Sequence, residues 1–280
     1  MDIQNTLSKP VRELKEYLNN QDTDEREKLL HALARDPRKT ARQLADRIQK
    51  KWLQDLREDE RLQNLLHFEQ ELYQQGYRLI AGVDEAGVAP LAGPVVAAAV
   101  ILPRNYKLPG LNDSKKILNR RKREMLAQRI KQDAVCWATG SAEVEEIDRL
   151  NVYRSGLLAM KRAVESLDPN PEYVLVDART IPHCSYPQKS VVHGDALCAV
   201  IAAASLVAKT TRDSHMLELD RIYPGYGFAD HKGYPTPEHL KVLKQRGPLP
   251  VHRKSFAPVR EVLAQDPAQQ DLFAVNPSEG

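Results

Sequence analysis

Two carboxylates stand side by side in an apolar setting, Ile80-Ala81-Gly82-Val83-Asp84-Glu85-Ala86-Gly87, and Val88-Ala89-Pro90-Leu91-Ala92-Gly93-Pro94 follows. Neighbouring acids without local cations repel each other, and a hard divalent cation with oxygen ligands is the simplest compensation. Strand residues alternate faces, so Asp84 and Glu85 are expected to share one site only where the strand ends or bends. Gly87 and Pro90 supply a reason for such a bend. Asp177 closes the apolar run Tyr173-Val174-Leu175-Val176, and Asp195 follows Gly194. Open sheets place ligands at the edge where such acids would gather. For each the plainer reading is a turn or an ordinary helix cap.

Other groups suit a phosphate backbone. Asp195, Ala202, Ser205, Lys209 and Arg212 fall on one stripe of a helix by three-, four- and seven-residue steps. Asn112-Asp113-Ser114-Lys115-Lys116 precedes Arg120-Arg121-Lys122-Arg123, which reads as a phosphate-holding cluster or as a solvated face. Tyr223-Pro224-Gly225-Tyr226-Gly227-Phe228, His231-Lys232-Gly233-Tyr234 and Val251-His252-Arg253-Lys254-Ser255-Phe256 interleave aromatics with cations and glycines. That mixture suits sugar or base stacking beside phosphates.

The elements that must position these residues fall into two regions. Residues 1–76 lack any strand pattern and read as a small helical domain. It contains a helix after Pro10 through Leu14 and Leu18, another through Leu29, Leu30 and Leu33, and one or two long amphipathic helices from Thr40 to Tyr73. From Tyr77 short apolar strands are predicted near 79–84, 94–103, 134–140, 173–177 and 189–192. Helices are predicted from Arg120 to about Lys131 with Asn119 as cap, from Glu143 to Leu167, and from Asp195 to Asp213. This order points to a mixed α/β sheet over 77–262 and a loose polar tail over 263–280.

The 280 residues are 42% hydrophobic and 28% charged, with net charge +3. Mean hydropathy is −0.52 and the pI near 8.6. No apolar run reaches the roughly 18 residues of a membrane span. Cys136, Cys184 and Cys198 are odd in number and lack zinc spacing, which fits a reducing cytoplasmic setting.

Taken together, the motifs resemble those of bacterial ribonuclease HII. The resemblance rests on Gly82 to Gly87 with Pro90 to Pro94, Asp113-Ser114-Lys115-Lys116, Leu175-Val176-Asp177-Ala178 and Gly194-Asp195. It continues through Ile201 to Lys209, Thr211-Arg212-Asp213, Tyr223 to Tyr234 and His252 to Val259. The helical extension is similar to one carried by some Gram-positive members. The resemblance implies a ribonuclease H-like mixed five-stranded sheet flanked by helices. It also implies an endonuclease that cuts the RNA strand of RNA–DNA hybrids and cuts 5′ of ribonucleotides embedded in duplex DNA. Asp84, Glu85, Asp177 and Asp195 match the family's metal-binding acids, which implies two Mn2+ or Mg2+ ions and two-metal hydrolysis. Nucleic-acid contacts are implied at Gly87, Val88, Ala89, Ser114, Lys115, Ser205, Lys209 and Tyr234, with Tyr234 at the junction sugar.

The sequence departs from the family at that contact loop. The usual Gly-Arg-Gly reads Gly87-Val88-Ala89, and His193 stands where a lysine is usual. An impaired nucleic-acid-binding homologue is therefore the alternative reading. The tail segment Gln269-Gln270-Asp271-Leu272-Phe273 resembles the short peptide by which bacterial replication proteins dock on the sliding clamp, with Gln269, Asp271, Leu272 and Phe273 as anchors. A monomer is expected.

Overall fold

The computed structural model describes residues 9–19 and 23–265. The clamp-like peptide lies outside them. The chain divides into two compact units, Met1–Arg61 and Leu62–Gly280.

The first unit holds α1 (Val11–Asn19), α2 (Thr23–Ala34) and most of α3 (Lys39–Leu65). Leu14 and Leu18 meet Leu29, Leu30 and Leu33, closed by Ala41, Leu44 and Ala45. These are the apolar faces the periodicity predicts. Asp36 accepts from both the backbone and the guanidinium of Arg38, which fixes the corner between α2 and α3.

The second unit begins earlier than residue 77. Leu62, Leu65 and Leu66, with Leu72 of α4 (His67–Gln74), belong to the core beneath the sheet. The leucine stripe runs on past Arg61 and finds its burial there.

Five strands form one sheet in the order β3-β2-β1-β4-β5: β1 (Ile80–Ala86), β2 (Val95–Ile101), β3 (Cys136–Ala142), β4 (Tyr173–Asp177) and β5 (Gln188–Val191). β2 pairs antiparallel with β1 and β3, whereas β4 runs parallel to β1 and to β5. Every residue of β2 is buried, as a strand covered on both faces requires. α5 (Arg120–Asp133) begins where predicted, with the Asn119 side chain accepting from Lys122 N–H.

The predicted helix over 143–167 is broken at Asn151, whose φ of 73° ends α6 (Val144–Leu150) and whose side chain caps α7 (Val152–Glu165). The long helix near Asp195 is also two pieces. α8 (Gly194–Leu197) stops at extended Cys198, and α9 (Ala199–Ile222) starts afresh and runs nine residues beyond Asp213. Asp195 therefore does not cap α9. The buried Glu69 of α4 does so instead, its Oε1 accepting from Val200 N–H at 2.9 Å.

α9 covers one face of the sheet and α7 the other. The α9 contact is close enough to demand glycine. A Cβ on Gly82 would lie 2.1 Å from the carbonyl carbon of Val200. α10 (Phe228–His231) and α11 (Pro237–Arg246) follow, and α12 (Ala257–Ala264) buries Val259. Among the described residues, no helix is long and apolar enough to cross a membrane.

Candidate active site

The parallel ladder between β1 and β4 ends at Val83 opposite Val176. The next residues on each strand, Asp84 and Asp177, stand where the two strands part. The backbone N–H of Gly194 donates to Asp177 Oδ1 at 2.8 Å and ties the start of α8 to the end of β4. His193, in a left-handed turn at φ 57°, redirects the chain so that Asp195 enters the same opening. One oxygen from each of Asp84, Asp177 and Asp195 lies within 4.8 Å of the others.

These acids are held where charge is unfavourable. Burial, then the charges of Glu85 and Asp177, push Asp84 well above the usual carboxyl range, while the Ser205 hydroxyl works against that shift. Asp195 is raised by burial and by Asp113 and Asp177. Lys115 offers partial relief, its ammonium 3.4 Å from Asp195. Desolvation opposes that ammonium, but the charges of Asp195, Asp84 and Asp113 outweigh it and raise its pKa. Three clustered oxygens with too little positive charge fit a divalent cation, and their all-oxygen character fits a hard one.

Glu85 behaves differently from the expectation of a shared bend. β1 stays paired with β2 through Ala86, so consecutive residues keep to opposite faces. Glu85 emerges on the α7 side, where Arg179 Nη2 sits 2.7 Å from Oε1. Burial raises its pKa, with the Arg179 charge opposing. Its Oε2 is buried without a partner, a second sign that positive charge is wanted here.

The loop after β1 is held by two fully buried arginines. Arg253 donates to the carbonyls of Gly87, Val88 and Gly93, and Arg212 to those of Ala92, Pro94 and Lys232. Gly87, at φ 94°, leaves room for this, since a Cβ there would lie 2.1 Å from Arg212 Nε. Ala89 is not among the residues with positive φ, so its Cβ causes no backbone strain.

A family model described as Ribonuclease HII matches residues 81–259, and one described as Ribonuclease HII N-terminal domain matches residues 10–73. The chain belongs to the ribonuclease HII family. It is 59% identical over 256 residues to the Ribonuclease HII of Myxococcus xanthus, covering 89% of this chain and 87% of that one. Ribonuclease HII of Desulfitobacterium hafniense is 52% identical over 253 residues, covering 90% and 96%. The crystal structure of ribonuclease H2 from Pyrococcus horikoshii OT3 superposes with a TM-score of 0.55 at 25% identity, covering 65% of this chain and 96% of that one. Like its family, the chain is a metal-dependent endonuclease.

The other residues singled out by resemblance to ribonuclease HII fall around the acids. Ser114 and Ser205 face each other with hydroxyls 2.9 Å apart, and Ser205 also bonds Asp84. Lys209 pairs with Asp213 at 2.7 Å, and its ammonium lies 5.8 Å from the centroid of the Tyr234 ring, itself 38% exposed. Val88 is half-buried and Ala89 exposed. The predicted five-residue stripe does not hold as drawn. Asp195 is off α9, and Arg212 points into the protein instead of toward a phosphate. The same correction applies to His252 and Arg253, both fully buried. Of the basic cluster, Arg120 pairs with Glu124 and Arg123 donates to Ile117 and Leu118, while Arg121 and Lys122 are exposed.

Sequence reasoning missed Glu69, Arg179 and Asp148. The last accepts from the N–H groups of Lys254 and Ser255 and so anchors the segment carrying Arg253. Arg179 had a readable signal, a cation two residues after a strand-end acid. Glu69 had none, because an acid on a charged helix reads as solvated.

Proposed function

We propose that the protein hydrolyses the RNA strand of RNA–DNA hybrids and cuts duplex DNA on the 5′ side of embedded ribonucleotides, by a two-metal mechanism with Mg2+ or Mn2+. The observation that carries this reading is the buried cluster of Asp84, Asp177 and Asp195 at the parting of β1 and β4. With Glu85, these acids would hold the ions. Bound there, divalent cations supply activation of a water and neutralisation of charge on the leaving oxygen.

The chain's own residues orient the substrate. Lys115 and Lys209 offer cations to flanking phosphates, and Tyr234 offers a ring face to the sugar at the junction, where the 2′-hydroxyl distinguishes RNA from DNA. The arginine clamps turn the loop carbonyls inward. Among the described residues the N–H groups of Val88 and Ala89 take no part in the backbone hydrogen bonds, which suits them to a phosphate.

The second reading, a binder with little turnover, is favoured by one observation: Val88 supplies no cation where the family has arginine. Cleavage of a DNA duplex carrying one ribonucleotide, beside an RNA–DNA hybrid and an all-DNA control, separates the readings. Cutting 5′ of the ribonucleotide that disappears in Asp84→Asn is the expected result. Binding without cutting of either RNA-containing substrate would establish the binder. We also propose that Gln269, Asp271, Leu272 and Phe273 dock on the sliding clamp in a cytoplasmic monomer. Deleting residues 269–280 should abolish clamp binding and leave hydrolysis intact; unchanged binding ends the idea.

A further inference from the structure

Glu85 is the acid whose surroundings are built around a side chain rather than around the other carboxylates. Its side chain is nine-tenths buried, and Arg179 engages only Oε1. Oε2 has no partner.

Three separate features keep Arg179 there. Ala178 is left-handed, at φ 47°, a conformation unfavourable for a residue with a Cβ. It turns the chain just after Asp177 and so returns the next side chain to the strand end. Tyr153 of α7 lays its ring 5.0 Å from the guanidinium carbon. Gly156, inside α7, leaves the space the guanidinium fills. A Cβ at that position would meet Arg179 Nη1 at 2.6 Å and Cζ at 3.7 Å. A glycine within a helix lowers helix stability, so its presence where only an arginine needs room is informative.

We infer that Arg179 is a positioning residue that fixes Glu85 through Oε1, presents Oε2 to a divalent cation, and by its own charge weakens that cation's binding. The inference rests on the metal site proposed above. In the metal-free protein Arg179 compensates a buried charge, and removing it leaves Glu85 among other acids without relief. The same removal deletes a positive charge from the neighbourhood of an incoming cation, where water screens little. Arg179 therefore trades cation affinity for a fixed carboxylate.

The test is a Mn2+ titration of the full chain, followed by thermal shift and, separately, by cleavage of an RNA–DNA hybrid. For Arg179→Met the expected results are a lower melting temperature without metal and a Mn2+ midpoint reduced about 3- to 10-fold. At saturating Mn2+, kcat should fall about 10-fold with the substrate KM unchanged. Gly156→Ala guards against simple misfolding. It keeps every charge in the protein, and the helix preference of alanine offsets part of the cost of displacing the guanidinium, so it should remain folded and shift the midpoint in the same direction. Arg179→Lys should return the midpoint toward wild type. A merely structural arginine would lower the melting temperature and leave the midpoint in place. If wild type responds to Mn2+ and both Arg179→Met and Gly156→Ala keep its midpoint and kcat, the inference is overturned on its own. A wild type without any Mn2+-dependent shift would overturn the metal site itself.

Discussion

Arg253 Nη1 donates to the carbonyl oxygen of Val88 at 2.9 Å, joining residues 165 positions apart. Nη2 reaches Gly87 at 2.6 Å, and Nε and Nη2 both reach Gly93, at 3.0 and 2.8 Å. The fork satisfies carbonyls that would otherwise be buried without donors. Arg253→Lys keeps the charge and loses the fork. Each abandoned carbonyl costs about 1–3 kcal/mol, so the variant should lose roughly 2–4 kcal/mol in denaturant unfolding. It should also raise KM for a duplex with one ribonucleotide more than it shifts the Mn2+ midpoint. Unchanged stability would show that water serves these carbonyls equally well.

Glu69 and His252 give opposite pH dependences over nearly the same range. Burial pushes Glu69 from 4.5 up to about 7, with the Val200 N–H opposing. The folded protein therefore binds a proton more tightly at Glu69 than the unfolded chain does. Stability present below pH 4.5 is lost as pH rises toward 7. Burial, reinforced by the charge of His239, pushes His252 from 6.5 down to about 4. Its unfolded form binds the extra proton, so that contribution is present above 6.5 and lost as pH falls toward 4. Each is worth on the order of 3 kcal/mol at about 1.36 kcal/mol per pKa unit. Glu69→Gln keeps an acceptor for Val200 and removes one side of this balance. Its stability relative to wild type should rise between pH 4.5 and 7.5, most simply read from urea midpoints. A pH-independent difference would mean that Glu69 is ionised throughout.

A chain of three histidines, of which His239 and His252 are fully buried, explains why His252 resists a proton. Gly233 N–H donates to His231 Nδ1, which makes Nε2 of His231 the donor to the Tyr226 carbonyl. Leu249 N–H donates to His252 Nδ1, so His252 Nε2–H points at His239 Nε2, 3.1 Å away. His239 then gives its own proton from Nδ1 to the Tyr234 carbonyl. Every ring nitrogen is assigned in the neutral form. In the sequence His231, His252 and Arg253 read as cations among aromatics. Strand positions and the Asn119 cap were legible because alternation and capping are local. The direction of Arg212, Arg253 and Glu85 was not, because it depends on which buried carbonyls or charges the fold brings to them. The break at Cys198 was hidden for a related reason. Only Glu69, far away in sequence, supplies the acceptor that lets a new helix start there.

Asp84 should show a conflict between stability and activity. Its carboxyl is raised well above the usual range by burial and by Glu85 and Asp177, so ionisation at neutral pH opposes folding. Asp84→Asn removes that charge with little change in volume. Melted in chelator at pH 8, the variant should be more stable than wild type by about 1–3 kcal/mol. Added Mn2+ should stabilise it far less than wild type, and cleavage should fall to background. A chelator-treated variant less stable than wild type would mean that the Ser205 bond to Asp84 outweighs the repulsion.

Val88 and Ala89 test whether the loop works through its backbone. The arginine clamps and the negative φ of Ala89 leave the loop's shape independent of these two side chains. The acids are intact, so chemistry should be retained while affinity or selectivity for an isolated ribonucleotide is reduced. Val88→Arg with Ala89→Gly adds one cation where a phosphate is expected. The slope of log affinity against log salt should steepen by about 0.7–0.9 for one added contact. Cleavage of the single-ribonucleotide duplex should improve more than cleavage of the hybrid, since a continuous RNA strand offers other registers. Wild type equalling or exceeding this variant on both substrates would refute the loop's part in recognition and leave Tyr234 and the lysines to carry it.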